Sequence, residues 1–330
     1  MHSVAKPLLG GLGIFTALIA TILIHYYGIL ILADTPIKNY LPIFNRLFIH
    51  IHGMKKVEPQ IWGIISGAFF TFVLGLFDDK YGLSAKLKLV LQILIALYII
   101  HFFNIRITMF IKNPILTYAI TVLWIIGITN SFNLLDNMDG LSAGVALVAS
   151  LVFLATALSA GQLFIGLFLI AFIGALAGFL RYNFPPSTIF MGDAGSLTIG
   201  FIMATLTVMG TYYIKGSAPT LYPIFMPVLI LGVPIFDTLS VIVIRLKNKE
   251  SIFTADKNHF SHRLLRLGMT HRGVALFVYL VTFCVAINAI LLPLLTEIGV
   301  VIVAAHTVCI LAIIALLEYY GKLKKTNKNE

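Results

Sequence analysis

Trp124-Ile125-Ile126-Gly127-Ile128-Thr129-Asn130-Ser131-Phe132-Asn133-Leu134-Leu135-Asp136-Asn137-Met138-Asp139-Gly140-Leu141 begins as a membrane span and ends as a sequence that hydrocarbon rejects. The apolar run over 115–133 has the roughly 20 residues that a helix needs to cross a bilayer. Three amides and two carboxylates then follow within ten residues. A carboxylate at the bilayer centre costs roughly 2.5–3.5 kcal/mol on insertion scales, so these groups belong at the end of a span and need a reason to be there. If the helix continues through them, Asn130, Asn133 and Asn137 share one stripe and Asp136 lies one turn from Asp139. Such a stripe can bind a metal or sugar hydroxyls.

Outward from this stretch the whole chain has the same character. Of its 330 residues 59% are hydrophobic and 11% charged, against ~45–50% and ~25% in soluble domains. Ten runs are long enough to span: 11–32, 60–77, 87–103, 115–133, 141–159, 162–180, 197–215, 221–244, 274–295 and 299–320. The fold class is therefore an all-α polytopic membrane protein of about ten transmembrane helices, with residues 1–330 forming a single domain. Alternating these spans puts all but seven of the 23 Lys and Arg residues on one side. The positive-inside rule makes that side cytoplasmic, together with both termini. The net charge of +10 thus reads as topology, and no nucleic-acid partner is implied. Cys284 and Cys309 sit in apolar runs without metal-ligand spacing. No cleavable signal is evident.

Ile37, Tyr40, Leu41, Phe44, Leu47 and Phe48 recur at helical spacing in the 33–59 connection and predict an interfacial helix. Gly63/Gly67 and Gly174/Gly178 each form a GxxxG that permits close helix packing.

Seven of the eight aspartates (Asp78, Asp79, Asp136, Asp139, Asp193, Asp237 and Asp256) fall on the cytoplasmic side. Idly solvated acids would scatter over both faces, so this clustering predicts one shared site. Asp78 and Asp79 are adjacent and need cations, for which Lys80, Lys86, Lys88 and a hard divalent metal are available. Arg181-Tyr182-Asn183-Phe184-Pro185-Pro186 leads to Phe190-Met191-Gly192-Asp193-Ala194-Gly195-Ser196-Leu197, where glycines flank an acid just before a helix. That pattern lets backbone N–H groups approach a phosphate. Asp237 lies inside a span behind Pro234, which should break the helix. In the loop 245–273, His259, His262 and Arg263 at i, i+3 and i+4 could face a diphosphate, or a histidine could relay a proton.

Together these stretches resemble the polyprenyl-phosphate N-acetylhexosamine-1-phosphate transferases, a branch of glycosyltransferase family 4. The motifs appear in order: Asp78-Asp79 with Gly82-Leu83 and Lys86-Leu87; Asn130 to Leu141; Phe190 to Leu197; and a histidine-bearing loop. The loop is more similar to the branch that starts O-antigen and teichoic-acid linkage units than to the peptidoglycan translocase. The resemblance implies transfer of N-acetylglucosamine 1-phosphate from UDP-N-acetylglucosamine to undecaprenyl phosphate, with Mg²⁺ (or Mn²⁺) as cofactor and UMP as product. It implies a location in the plasma or inner membrane and is compatible with a homodimer. By the resemblance Asp193, with Asp139, would hold the metal, and Phe190 would stack on uracil. Asp78 would deprotonate the lipid phosphate beside Asp79. Asn133, Asp136 and Asp139 would form the nucleotide-sugar and catalytic stripe, and Asn183 would be a polar pocket position; Asn130 on the stripe and Asp237 beside the helix break join the substrate-binding set on their own chemistry. His259 and His262 would be the loop histidines, with Arg263 and the three lysines toward the phosphates.

Departures from the pattern are Asn137 for a glycine, Pro186 for an alanine and Ser261 for a loop histidine. Leu8 stands for a basic residue in the first motif, which includes His2, Pro7, Gly10 and Gly11. The family would place one more span before that motif. Within the same chemistry the alternatives are another UDP-N-acetylhexosamine or the muramoyl-pentapeptide donor. From another class, a cation-coupled transporter predicts midplane acids and inverted repeats, and the sequence has neither.

Overall fold

The computed structural model describes residues 6–35, 51–108, 111–212, 220–249 and 259–326. The interfacial helix expected over 33–59 falls largely outside the described residues, as do His2, Asp256 and Lys257. All described regular structure is helical. The helices are α1 (Gly10–Asp34), α2 (Ile51–Lys56), α3 (Glu58–Tyr81), α4 (Ala85–Phe103), α5 (Pro114–Leu135), α6 (Leu141–Ser159), α7 (Leu163–Asn183), α8 (Gly192–Met209), α9 (Met226–Ile230), α10 (Gly232–Lys247), α11 (Phe260–Arg266), α12 (His271–Ala286), α13 (Asn288–Leu291) and α14 (Glu297–Thr326).

Among the described residues nine helical segments are long and apolar enough to cross a membrane, and a bent pair supplies a tenth. The chain is thus a multi-pass membrane protein. That tenth run, expected over 221–244 with a break at Pro234, is bent by 72° between Tyr222–Ile230 and Gly232–Lys247. The break falls one turn before Pro234, because a proline ring clashes with the carbonyl four residues back, here Ile230. Pro234 itself lies in the first turn of α10, where its missing N–H has no intrahelical partner to lose.

The least apolar span is the most buried. α8 is the least apolar span, with a mean hydropathy of 1.3 and 83% of its window buried, whereas Glu297–Leu316 has 2.7 and 11%. A central helix meets protein on all sides and can carry Ser196, Thr198, Thr205 and Thr207, all buried. Thr198 and Thr205 donate to the carbonyls of Ala194 and Phe201 at 2.6 and 2.7 Å, which satisfies their hydroxyls within the helix. A peripheral helix meets lipid and carries large exposed side chains such as Ile298, Val301 and Ile302. α8 is enclosed chiefly by α3, α5 and α1.

The two GxxxG pairs part company. Gly63 and Gly67 lie against Phe103, Ile105, Ile99 and Phe201, while Gly174 and Gly178 have open space where a Cβ would be. The second pair therefore packs against no other described helix. Helix ends are fixed locally: Asn113 caps α5 through Ile115 and Leu116 N–H at 2.9 and 3.3 Å, Ser84 caps α4, and Gly82 closes α3 with φ +63°.

Candidate active site

α3, α5 and α8 bring their acid-bearing ends together at one end of the bundle. Two adjacent acids at the C-terminal end of α3 would repel each other and the helix dipole there. The fold turns them to different partners. Asp79 accepts the N–H groups of Asp193 and Ala194 at 2.8 and 3.1 Å, so it caps the N-terminus of α8 from another helix. Gly192 makes this possible: its φ is +71°, and a Cβ there would lie 2.6 Å from Asp79 Oδ2. Asp78 accepts the Leu83 N–H at 2.8 Å and pairs with the Lys88 ammonium.

Lys88 bridges the same cluster, since its Nζ also lies 2.7 Å from Asp193 Oδ2. The other Asp193 oxygen accepts from Asn133 Nδ2 at 3.0 Å, and that amide also donates to Ser196 at 2.9 Å. Asp193 was expected just ahead of a helix; it is the second residue of α8, in the first turn, where the dipole favours a carboxylate.

The expected stripe over 130–139 ends early. α5 stops at Leu135, Asp136 caps it with ψ 43°, and a turn through Gly140 at φ +74° follows. Asn130 is paired with Gln92 through its amide, Nδ2 lying 2.6 Å from Oε1. Asn133 reaches Asp193. Asn137 and Asp139 have left the helix: Asn137 donates to the Leu134 carbonyl at 2.8 Å, and Asp139 accepts the Ser187 N–H at 3.0 Å and lies 4.0 Å from Lys6. Asp136 accepts no hydrogen bond from a described residue. Burial first, then the charges of Asp193, Asp79 and Asp139, hold its carboxyl well above the usual range.

The sequence looked for a cation at Leu8; the structure supplies Lys6. Its ammonium donates to Ser187 Oγ at 3.1 Å and stands 5.0 Å from the centre of the Phe190 ring, on which a uracil was expected to stack. The first motif docks here too. Gly10 and Gly11 N–H donate to the Phe190 and Met191 carbonyls, and Phe190 N–H donates to Pro7, all at 3.0 Å. Lys6, Ser187 and Ser196 are the site residues that sequence reasoning missed. The one available signal was the basic residue immediately before Pro7.

Other expected residues sit elsewhere. Lys80 lies over Tyr81 at 5.0 Å, and Lys86 is exposed. Asn183 is buried rather than lining an open pocket. It accepts the Gly140 N–H at 2.9 Å and donates to the Ile189 carbonyl at 2.8 Å, tying two turns together. Asp237 is only 1% exposed and is occupied by the loop, taking Phe260 N–H at 2.8 Å and His259 Nδ1 at 3.1 Å. His259 thus faces inward to Asp237 and not outward beside His262. Arg263 donates to Ser240 at 2.8 Å. Two of the departures from the family pattern meet: Ser261 Oγ donates to Asn137 Oδ1, which joins the loop helix α11 to the end of α5.

The donor types suit a hard cation, because Asp79, Asp139 and Asp193 lie near enough to act on Asp136, which is uncommitted. Among the described residues no three acid, histidine or cysteine groups already converge on one point, so Asp193 would have to share or release Lys88. Beside the site, α3 and α4 enclose an apolar trough of about 330 Å³ lined by residues including Phe70, Phe77, Leu83, Leu87 and Leu91. Leu83 is also the residue whose N–H holds Asp78.

Residues 61–211 match the model of glycosyl transferase family 4. The chain is 38% identical over 299 residues, 88% of its length and 75% of the relative's, to a probable undecaprenyl-phosphate N-acetylglucosaminyl 1-phosphate transferase of Bacillus subtilis (strain 168). It is 29% identical to a decaprenyl-phosphate N-acetylglucosaminephosphotransferase of Mycobacterium leprae (strain TN), over 88% of this chain and 74% of that one. A phospho-N-acetylmuramoyl-pentapeptide-transferase of Staphylococcus saprophyticus is 32% identical over 63% of this chain and 64% of its own.

Proposed function

Because the chain belongs to glycosyl transferase family 4, we propose that the acid-bearing end of the bundle is the active site of a polyprenyl-phosphate N-acetylglucosamine-1-phosphate transferase. The enzyme transfers N-acetylglucosamine 1-phosphate from UDP-N-acetylglucosamine to undecaprenyl phosphate. An oxygen of the lipid phosphate attacks the sugar-bearing phosphorus, the bond to the bridging oxygen breaks, and that oxygen leaves with UMP. The product is a lipid diphosphate sugar. One observation carries the reading: Asp78 and Asp193, from helices distant in sequence, share Lys88, while Asp79 caps the helix that bears Asp193 and Asp136 and Asp139 lie beside them.

Two anionic substrates must meet, so positioning and charge neutralisation are the main tasks. Lys88 is the cation at the meeting point. A phosphate arriving there competes with Asp78 and Asp193 for its ammonium. Asp78, held by the Leu83 N–H, stands ready to take a proton from the lipid phosphate. Leu83 also lines the apolar trough, so a polyprenyl chain lying in that trough would end beside Asp78. Lys6, Ser187 and Phe190 form the flank nearest Asp139, suited to the nucleotide. Mg²⁺ would be held by Asp136 and Asp193 with Asp139, and when bound it would neutralise diphosphate charge. Asp79 acts on Asp193 through the α8 N-terminus. Asp237, His259 and Ser261 position the loop. The positive-inside distribution of Lys and Arg supports a cytoplasmic orientation for this end of the bundle.

The test supplies purified protein with UDP-N-acetylglucosamine, undecaprenyl phosphate and Mg²⁺ and follows UMP and lipid-linked sugar. UMP release only with UDP-N-acetylmuramoyl-pentapeptide would move the chain to the other donor class. No release with any UDP-sugar would refute the reading.

A further inference from the structure

We infer that the opposite end of the bundle carries a binding site for an anionic glycerophospholipid. The helices that deliver acids to one end leave a cavity of about 580 Å³ at the other. It lies between the first turn of α3, the segment after α4, the C-terminal end of α8 and the start of the bent span. That volume is typical of ligand sites. Most of the wall is apolar, including Ile105, Trp124, Val208, Phe225 and Val228, and Trp124 is held by a 3.0 Å bond from its Nε1 to Thr207.

Two wall groups have nothing to bond. Arg106 Nε is buried without a hydrogen-bond partner, and so is Gln60 Oε1. Among the described residues Arg106 has no carboxylate partner, and its guanidinium lies 5.9 Å from the Tyr118 ring centre. A buried donor on a cation and a buried acceptor in one apolar cavity define a complementary ligand: an anion to meet Arg106, a hydroxyl to meet Gln60, and hydrocarbon for the rest. A phospholipid whose headgroup carries both phosphate and hydroxyls has all three. The site lies where the membrane can deliver such a lipid, and it is independent of which sugar is transferred at the other end.

Trp124 gives the test. The chain has two tryptophans, so Trp62→Phe leaves Trp124 as the single fluorescent reporter in the full-length protein. The protein is placed in phosphatidylcholine nanodiscs with increasing fractions of phosphatidylglycerol or phosphatidylcholine brominated on the acyl chains. Brominated phosphatidylglycerol should quench Trp124 at about tenfold lower fraction, the size of one charge-assisted hydrogen bond. Arg106→Gln should erase that preference, and Arg106→Lys should retain part of it. If Arg106→Gln does not fold, Gln60→Leu supplies the second variant and should weaken the preference for phosphatidylglycerol. Equal quenching by both lipids, or a preference that survives Arg106→Gln, would overturn the inference. Loss of the preference on adding millimolar inorganic phosphate would assign the site to a soluble anion and overturn the lipid.

Discussion

Gly75→Ala should cost far more activity than stability. Gly75 lies one turn before Asp78 on α3 and faces the N-terminal turn of α8. A Cβ built there would stand 2.3 Å from Ala194 Cα, 2.4 Å from Ala194 N and 2.6 Å from the Asp193 carbonyl carbon. All three are backbone atoms and cannot rotate away. Ordinary contact begins near 3.4 Å, so the two helices must part by about 1 Å. Overpacking of this kind costs roughly 1–3 kcal/mol, and the better helix propensity of alanine returns about 1 kcal/mol. The net loss of stability is therefore modest. The displacement acts directly on the bonds from Asp193 and Ala194 N–H to Asp79 and on the Lys88 bridge. A misplacement of about 1 Å can cost roughly a hundredfold in rate. The assay pairs the initial rate of UMP release with the thermal midpoint, and Gly178→Ala is the control, since its Cβ would meet open space. The control should keep the wild-type rate. A Gly75→Ala enzyme within threefold of wild type would refute the claim that this approach sets the site's geometry.

Asp193→Asn should raise the Mg²⁺ concentration needed for half-maximal rate, while Asp78→Asn should abolish turnover; wild-type rates in both would contradict their roles. Because its folded-state pKa is raised, Asp136 destabilises the metal-free protein at neutral pH, and the penalty is lost as pH falls toward the ordinary carboxylate range. Asp136→Asn should thus raise the thermal midpoint in chelator at pH 7 and narrow its lead as pH falls, and an unchanged midpoint would count against the buried, like-charged placement. Ser261→Ala and Asn137→Gly should each lower the rate, and the double variant should be no worse than either alone; full additivity would show that the two residues do not act as a pair.

The sequence announced the spans because apolar length is a property of each segment alone. Nine of the ten runs recur as helical spans with shifted boundaries, and the tenth as a bent pair of helices. The break before Pro234 was foreseeable in kind, and its place one turn earlier follows from the i−4 clash. What could not be read was which polar groups satisfy one another. Asp237 and Asn183 looked like pocket residues because an acid or amide in a span demands a partner; their partners proved to be His259 and the Phe260 N–H, and the Gly140 and Ile189 backbone. The same limit hid Ser196, a small polar residue that gains its role only when Asn133 arrives from another helix. Gly174 and Gly178 failed for a related reason: a small-residue pair licenses close packing but does not say which side of the helix has a neighbour.

The most direct measurement of the central claim is UMP release by the purified full-length chain with UDP-N-acetylglucosamine and undecaprenyl phosphate, compared with its Lys88→Met variant. Wild-type protein should release UMP in step with lipid-linked N-acetylglucosamine, and Lys88→Met, folded by its thermal midpoint, should lose at least a hundredfold in rate, in line with the loss of one positioned charge. UMP release undiminished in that variant would contradict the placement of catalysis at the Asp78–Lys88–Asp193 cluster.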